Sequence, residues 1–225
     1  MRTMGLFVFT LTTTFTLACG GTADVGKRAE SDKPGHEEAS DGAPKTQLTL
    51  AKTQAIADGL SFGEGFQKGM ANAQSDSFML SFAGPENARG GKVNVVISGV
   101  ACMPMSCVDL DVTAWKKNEN LKKKLAEVHI KNPNLVWEVT GIQVGGKRAI
   151  QIYAMSYVET QGADGTTRAS TKSIDLWWHD GGVLLNVTAN ASAFPSSLEE
   201  LETKVTRAEL EATAKLAFEA TVAKL

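Results

Sequence analysis

The sequence predicts an α+β domain in which an antiparallel sheet of about five to seven strands is sandwiched with helices. Three observations favour this class. Residues 183–191 alternate between two sets of side chains with a period of two, as a sheet with one buried face requires. Short turn sequences separate the strand-like segments of the second half of the chain, which indicates an antiparallel meander. The residues after 197 carry a broad apolar face with helical spacing, which predicts a long C-terminal helix packed on the sheet.

The elements can be placed in order along the chain. Residues 48–62 fit either a short helix or an irregular strand, and the pattern does not decide between them. Residues 78–82 and 93–97 are typical of strands, and a helix is expected from about residue 113 to 128 because Pro133 lies beyond its end. Four further strands are predicted near residues 135–144, 148–159, 170–179 and 183–191. Ser197 and Glu200 then have the spacing of a capping box that opens the last helix.

Composition limits the class of protein. The chain has 225 residues, and its 43% apolar content is enough to bury one good core. The formal charge is −2, with 23 basic and 25 acidic side chains. Nucleic-acid-binding domains normally have a strong basic excess, so this balance argues against a nucleic-acid partner.

The first residues form a secretory signal. One basic residue, Arg2, precedes an apolar run from Gly5 to Leu17, and Ala18 stands immediately before Cys19. The run is too short and too rich in threonine for a membrane-spanning helix. A cysteine after the small residue resembles the lipobox of bacterial lipoproteins, although Thr16 fills a position where that family usually has leucine. The resemblance implies that residues 1–18 are removed and that Cys19 carries a lipid; an ordinary secretory signal and an uncleaved anchor are the alternatives.

Residues 19–46 are predicted to be a flexible tether, and residues 47–225 a single globular domain. The tether has almost no large apolar side chains, so burial cannot repay the entropy of ordering it. Gly20, with no aspartate after the lipidated cysteine, is compatible with sorting to the outer membrane of a bacterial envelope. The membrane would then be one partner, reached through the lipid.

Cys102 and Cys107 remain once Cys19 is assigned to lipid. An even pair in an exported protein favours a structural disulfide. Met103 and Met105 stand between the two cysteines, and these soft sulfur ligands leave Cu(I) binding open as an alternative. Thiol–disulfide exchange is a further alternative, although the spacing is not that of a Cys-x-x-Cys site.

No catalytic motif stands out, so no catalytic residue and no cofactor is predicted. His179 with Asp175 or Asp180 is a candidate pair, but an exposed turn histidine is the simpler interpretation. Trp177 and Trp178 are expected to point to opposite faces of one strand, so that one indole lies in the core. A basic patch, interpreted as a solvated helix face or as a contact for anionic lipid, comprises Lys116, Lys117, Lys122, Lys123, Lys124 and Lys131.

The order of elements is similar to the PsbP-like fold of the DcrB-type envelope lipoproteins. The residues that carry the likeness are the meander over 136–194, with its turns at Gly145-Gly146 and Asp180-Gly181-Gly182, and the helix from Ser197. The resemblance implies a binding or accessory module more often than an enzyme. The sequence therefore predicts a lipid-anchored, non-catalytic envelope protein with an unidentified protein or small-molecule partner. The alternative is a thiol- or copper-handling protein acting through the Cys102–Cys107 loop.

Overall fold

A computed structural model describes residues 45–102, 107, 112–117, 136–162, 165–193 and 198–225. Its strands are β1 (Gln67–Ala73), β2 (Ser77–Glu86), β3 (Lys92–Ala101), β4 (Val136–Val144), β5 (Lys147–Gly162), β6 (Gly165–His179) and β7 (Val183–Ala193). Its helices are α1 (Leu50–Gly59), α2 (residues 112–117), α3 (Leu198–Lys204) and α4 (Arg207–Val222). These elements confirm the α+β class and the C-terminal helical packing on the sheet.

The strands form one seven-stranded antiparallel sheet in the order β1-β2-β3-β7-β6-β5-β4. The meander from β4 to β7 is as predicted. The chain after β3 crosses to the far edge of the sheet, and the meander then returns so that β7 pairs with β3. This pairing joins Val95 to Ala189 and Ile97 to Val187, which places two strongly apolar strands at the centre of the sheet.

The main core lies between the sheet and α1, α3 and α4. Alternate residues of β2 and β7 point toward these helices and are buried, whereas the residues between them are half-buried. Helix α4 contributes Leu210, Ala214 and Phe218 to this core, and α1 contributes Ile56 and Ala57. We call this side of the sheet the helix face and the other side the opposite face. Within the described residues, none of the helices is long and apolar enough to span a membrane.

As predicted, Trp177 and Trp178 point to opposite faces of the sheet. Trp178 lies in the main core, 7% exposed, with its ring 6.2 Å from that of Phe218. Trp177 lies on the opposite face, where its ring centroid is 5.7 Å from that of Trp115 in α2. Since α2 packs on this face, helices contact both sides of the sheet.

Three details differ from the sequence-based expectations. Residues 50–59 form a helix, so of the two alternatives left open for this segment the helix is correct. Strand β1 was not predicted, because its residues are exposed along almost the whole strand and carry no apolar alternation. The C-terminal helix was predicted as continuous, but it is broken between α3 and α4; Thr206 and Glu209 form a capping box at the start of α4.

Candidate functional site

The residues named from the sequence fall in different parts of the structure. Cys19, Met103 and Met105 lie outside the described residues, as do His36 and His129. The division into signal, tether and domain, and the lipid on Cys19, therefore stay predictions. The sulfur atoms of Cys102 and Cys107 are at disulfide-bonding distance, and their Cα atoms are 5.4 Å apart, within the range of a disulfide.

The cysteine pair lies beside the turn between β6 and β7. The Cys102 amide donates a hydrogen bond of 2.8 Å to the carbonyl oxygen of Gly182. Within the described part of the chain, no group of three or more His, Cys, Asp and Glu side chains is close enough to hold a metal ion.

Asp180 organises this turn and holds the first described residues against it. Its Oδ1 accepts hydrogen bonds from the amides of Gly182 and Val183, at 2.8 and 2.9 Å, and its Oδ2 accepts one from the amide of Thr46 at 2.9 Å. A Cβ atom on Gly182 would meet the Thr46 carbonyl oxygen at 2.0 Å, so only glycine permits this close approach. The chain therefore reaches the domain at the β6–β7 turn, next to Cys102.

His179 does not form the pair suggested by the sequence. Its Nδ1 accepts a hydrogen bond of 3.2 Å from the Gly181 amide. Asp180 is occupied by backbone amides, and no hydrogen bond joins His179 to Asp175 among the described residues. His179 therefore belongs to the turn, as the simpler interpretation expected, although its side chain is half-buried and not exposed.

The opposite face is divided into an apolar and a polar half. Over β4 and β5, the buried side chains of Val139, Ile150 and Ile152 pack with Trp177 and with α2. Over β6, β7 and β3 the residues facing this side are mostly polar and half-buried. Trp177 stands at the boundary, since its cross-strand partners are Ile150 in β5 and Asn186 in β7.

Four side chains of the polar half, Ser173, Asp175, Asn186 and Thr188, form one connected group that we call the Asp175 cluster. Asp175 and Thr188 are cross-strand partners, and the Thr188 hydroxyl donates to Asp175 Oδ1. The same hydroxyl lies 3.2 Å from Asn186 Oδ1. The Ser173 hydroxyl donates to Asp175 Oδ2 at 3.3 Å. All four side chains are half-buried.

Within the described residues, the Asp175 cluster leaves both acceptor and donor groups without a partner. Two carboxylate oxygens offer about four lone pairs, and the hydrogen bonds to Asp175 come from two hydroxyls. The Asn186 Nδ2 atom is buried and has no hydrogen-bond partner among the described residues. A buried donor without a partner costs about 1–3 kcal/mol of stability.

The electrostatics of Asp175 are unusual for a surface carboxylate. Burial raises the pKa of Asp175, and the hydrogen bonds from Thr188 and Ser173 oppose that rise without cancelling it. None of the ion pairs within the described residues includes Asp175. Perturbed pKa values concentrate at functional sites, so Asp175 is a candidate functional residue.

A second polar group lies on the helix face and is fully paired. The completely buried Lys172 amine is 2.8 Å from Glu202 and donates to the Val205 carbonyl oxygen at 2.8 Å. Burial, reinforced by the nearby Glu202, raises the pKa of Tyr153 to about 12, so this phenol stays protonated at neutral pH. Arg207 covers the Tyr153 ring at 4.2 Å and pairs with Glu138 at 2.7 Å. Because these charges satisfy one another, we assign this group a structural role.

Sequence reasoning found only part of the Asp175 cluster. The sequence suggests Asp175 as a partner of His179, and the alternation over residues 183–191 places Asn186 and Thr188 on one face of β7. The sequence does not give the register between β6 and β7, and this register brings Asp175 opposite Thr188. The alternation of β7 marks which residues share a face, but it does not give their partners on the next strand.

Comparison with known proteins gives little further guidance. No family model matches the chain, and no curated protein matches it. Among solved structures, the crystal structure of LpqN, involved in cell envelope biogenesis of Mycobacterium tuberculosis, aligns over 77% of this chain and 95% of that chain. The alignment has 14% sequence identity and a TM-score of 0.26.

Proposed function

We propose that this protein is a lipid-anchored lipoprotein of the bacterial cell envelope that acts by binding, through the opposite face of its sheet, and not by catalysis. The observation that carries the binding function is the Asp175 cluster. Its carboxylate has no ion pair within the described residues, and its neighbouring amide nitrogen has no hydrogen-bond partner there. An apolar surface beside a few convergent polar groups is the usual composition of a binding site.

The anchor is argued from sequence. Cys19 follows Ala18 and an apolar run, as a lipobox requires, and the tether separates it from the first described residues at the β6–β7 turn. The 27 residues from 20 to 46 would span roughly 30 Å as a random coil, enough to keep the domain near a membrane without fixing its orientation.

The anchor is tested by fractionation of cells that express the full chain. We expect the native protein in the membrane fraction, carrying a metabolically incorporated fatty acid, and the Cys19→Ala variant in the soluble fraction without label. Cys102→Ala is the matched control, because it removes a cysteine and leaves the lipobox intact. Membrane retention of the unlabelled Cys19→Ala variant would contradict the lipid assignment.

The binding face is tested by photo-crosslinking in intact envelopes. A photoreactive residue at Thr171, exposed on the opposite face near the Asp175 cluster, is compared with one at Ala212, exposed on α4. We expect an adduct from Thr171 that is lost when Asp175→Asn is added, and no such adduct from Ala212. Equal adducts at both positions, or adducts insensitive to Asp175→Asn, would refute binding through this face.

The Cys102–Cys107 loop supports a second candidate function, thiol exchange or Cu(I) binding. The observation in its favour is the pair of sulfur atoms at bonding distance, with two methionines between them in the sequence. Thiol titration and Cu(I) competition on the full chain decide the matter. A structural bridge leaves no accessible thiol and no tight copper, whereas Cu(I) binding that is lost in Met105→Ala would establish the second function.

A further inference from the structure

The two ends of the sheet differ in how their charges are paired. One end carries the β2–β3 turn and the break between α3 and α4, which Asn87 joins by donating to the Lys204 carbonyl oxygen. Each ion pair within the described residues includes a side chain that flanks this turn or belongs to α3 or the first turns of α4. We call the other end, which carries the β4–β5 turn and the β6–β7 turn, the turn end.

Exposed cations without an ion pair lie at the turn end. Lys147 and Arg148 follow the β4–β5 turn directly. Lys45 lies against the β6–β7 turn, where its Cε atom would be 3.2 Å from a Cβ atom on Gly181. All three side chains are exposed, and none has an ion pair within the described residues. Their charges are therefore available to a partner of opposite charge.

Helix α2 adds two cations on the opposite face. The Val112 side chain would be 3.0 Å from a Cβ atom on Gly141, which places α2 over the half of β4 nearest to the turn end. Lys116 and Lys117 in this helix are exposed and likewise have no ion pair in the part of the chain that the structure describes. They are the described members of the basic patch predicted from the sequence.

Acidic side chains are fewer than these five cations at the turn end. Those among the described residues are Asp76, Asp180 and Glu219, and Asp180 already accepts three backbone hydrogen bonds. Around the helix break, by contrast, residues 199–211 contain five glutamates and two basic side chains. A domain with this polarity turns its basic end toward an anionic surface.

The path of the incoming chain favours a membrane as that surface. The Thr46 amide donates to Asp180, so the predicted tether from Cys19 reaches the domain at the turn end. An anchored domain is held at a high effective concentration beside the bilayer, so contacts too weak to bind a free domain can still orient it. Each Lys or Arg near an anionic lipid surface contributes about a fivefold preference for contact. A few exposed cations are therefore enough.

We propose that the turn end binds an anionic phospholipid surface through Lys45, Lys147 and Arg148. Lys116 and Lys117 extend this basic surface onto α2. The strands then run away from the bilayer, and the opposite face of the sheet stays accessible. This inference rests on the lipid anchor proposed above and adds the orientation of the anchored domain, which the tether alone does not fix.

The test uses the acylated full chain in vesicles of phosphatidylcholine, with or without phosphatidylglycerol. A photoreactive residue at Gln143, exposed beside the β4–β5 turn, is compared with one at Ala88, exposed in the β2–β3 turn. We expect the ratio of lipid adducts at Gln143 to those at Ala88 to be at least about fivefold higher with phosphatidylglycerol than without it. This excess should disappear in about 1 M salt, where the Debye length is roughly 3 Å.

Two triple variants separate charge from other properties of these side chains. Lys45→Gln/Lys147→Gln/Arg148→Gln should remove most of the excess, whereas the matched control Lys45→Arg/Lys147→Arg/Arg148→Lys keeps the charges and should retain it. Circular dichroism verifies that both variants fold, and the salt dependence tests the native chain without any substitution.

An adduct ratio that phosphatidylglycerol does not raise would overturn the inference, as would an excess that survives high salt or the glutamine variant. Failure here is distinguishable from failure of the anchor. If the chain carries its fatty acid and enters the vesicles while the adduct ratio is the same in both, the anchor stands and the basic surface falls. A chain without fatty acid contradicts the anchor itself.

Discussion

Asp180 shows how one side chain can fix a turn and the incoming chain together. Its two oxygens accept three backbone hydrogen bonds, from Gly182, Val183 and Thr46. Burial alone would raise the pKa of Asp180, but these hydrogen bonds favour the charged form and bring the pKa below its ordinary value. The ionised carboxylate therefore contributes to the free energy of folding.

We expect Asp180→Ala to lower the free energy of unfolding by about 2 kcal/mol at pH 7, because charged hydrogen bonds are worth more than neutral ones. A folded-state pKa below the unfolded value means that this stability is present above the unfolded pKa and is lost as the pH falls through the folded one. Urea unfolding at pH 7 and at progressively lower pH measures the difference. Glu64→Ala, at an exposed position, is the control, and an equal loss in both variants would contradict the role of Asp180.

Asp175 should show the opposite dependence on pH. Burial raises its pKa above the ordinary value, so the folded protein becomes less stable as the pH rises through the range in which Asp175 ionises. We expect Asp175→Asn to increase the free energy of unfolding at pH 7 and the difference to shrink at lower pH, where both side chains are neutral. A gain in stability with a loss of binding is the usual signature of a functional residue. A less stable Asp175→Asn variant at pH 7 would show that the carboxylate is structural.

At the scale of elements, side chains from other parts of the chain stabilise the break between α3 and α4. Lys172 in β6 donates to the Val205 carbonyl oxygen, and Asn87 donates to that of Lys204 at 2.8 Å. Arg89 pairs with Glu209 at the start of α4. These contacts satisfy carbonyl groups that a continuous helix would have satisfied internally.

Thr206 stabilises the break locally, because it caps the start of α4. Its hydroxyl accepts a hydrogen bond of 3.2 Å from the Glu209 amide, and Glu209 reaches back to the Thr206 amide at 2.7 Å. We expect Thr206→Ala to lower the free energy of unfolding by about 1 kcal/mol, the usual effect of losing an N-cap. The exposed Thr203→Ala is the matched control, with a change within about 0.5 kcal/mol. Denaturant titration of the two variants makes the comparison, and equal effects would mean that Thr206 does not act as a cap.

The elements also show how far sequence reasoning reaches. The alternating strands and the helical stripes depend on local periodicity, so β2, β3, the meander and the helical C-terminus were predictable. Strand β1 was not, because an exposed edge strand with a glycine at residue 69 has no buried face to impose a pattern. The helix break was missed because the apolar stripe continues through Val205, while Lys172, which holds the break, is 33 residues away.

The candidate site could be predicted only in part for a similar reason, because it depends on contacts between strands. Asp175 and Asn186 can be read from the sequence, but their shared contact with Thr188 depends on the register of β6 and β7. The Cys102–Cys107 proximity was predictable because the two positions are only five apart in the sequence. Long-range register therefore limits the prediction of a site more than the identity of its residues does.

On the scale of the whole molecule, the main core and the proposed binding surface lie on different sides of one sheet. The helix face buries an almost uninterrupted apolar layer, in which Leu176, Leu185 and Val187 are completely buried. The opposite face keeps its polar half only partly buried, so substitutions there remove less apolar surface from the core. This separation allows the Asp175 cluster to keep a donor and a charge that have no partner among the described residues, while the main core on the helix face stabilises the fold.

This division predicts opposite outcomes for two deletions. Removing residues 198–225 uncovers the apolar layer of the helix face and takes away Leu210 and Phe218, each 1% exposed or less. We expect that chain to aggregate or to lose cooperative unfolding, because burial of each large apolar side chain contributes about 1.5–3 kcal/mol.

Removing residues 20–44 takes away only part of the predicted tether. We expect this second chain to unfold cooperatively, with a Tm within about 2 °C of the intact protein. Thermal unfolding followed by circular dichroism compares both deletions with the full chain. A stable, cooperative product of the first deletion would show that the sheet does not depend on α3 and α4. A large fall in Tm after the second deletion would show that residues 20–44 belong to the folded domain and do not act as a tether.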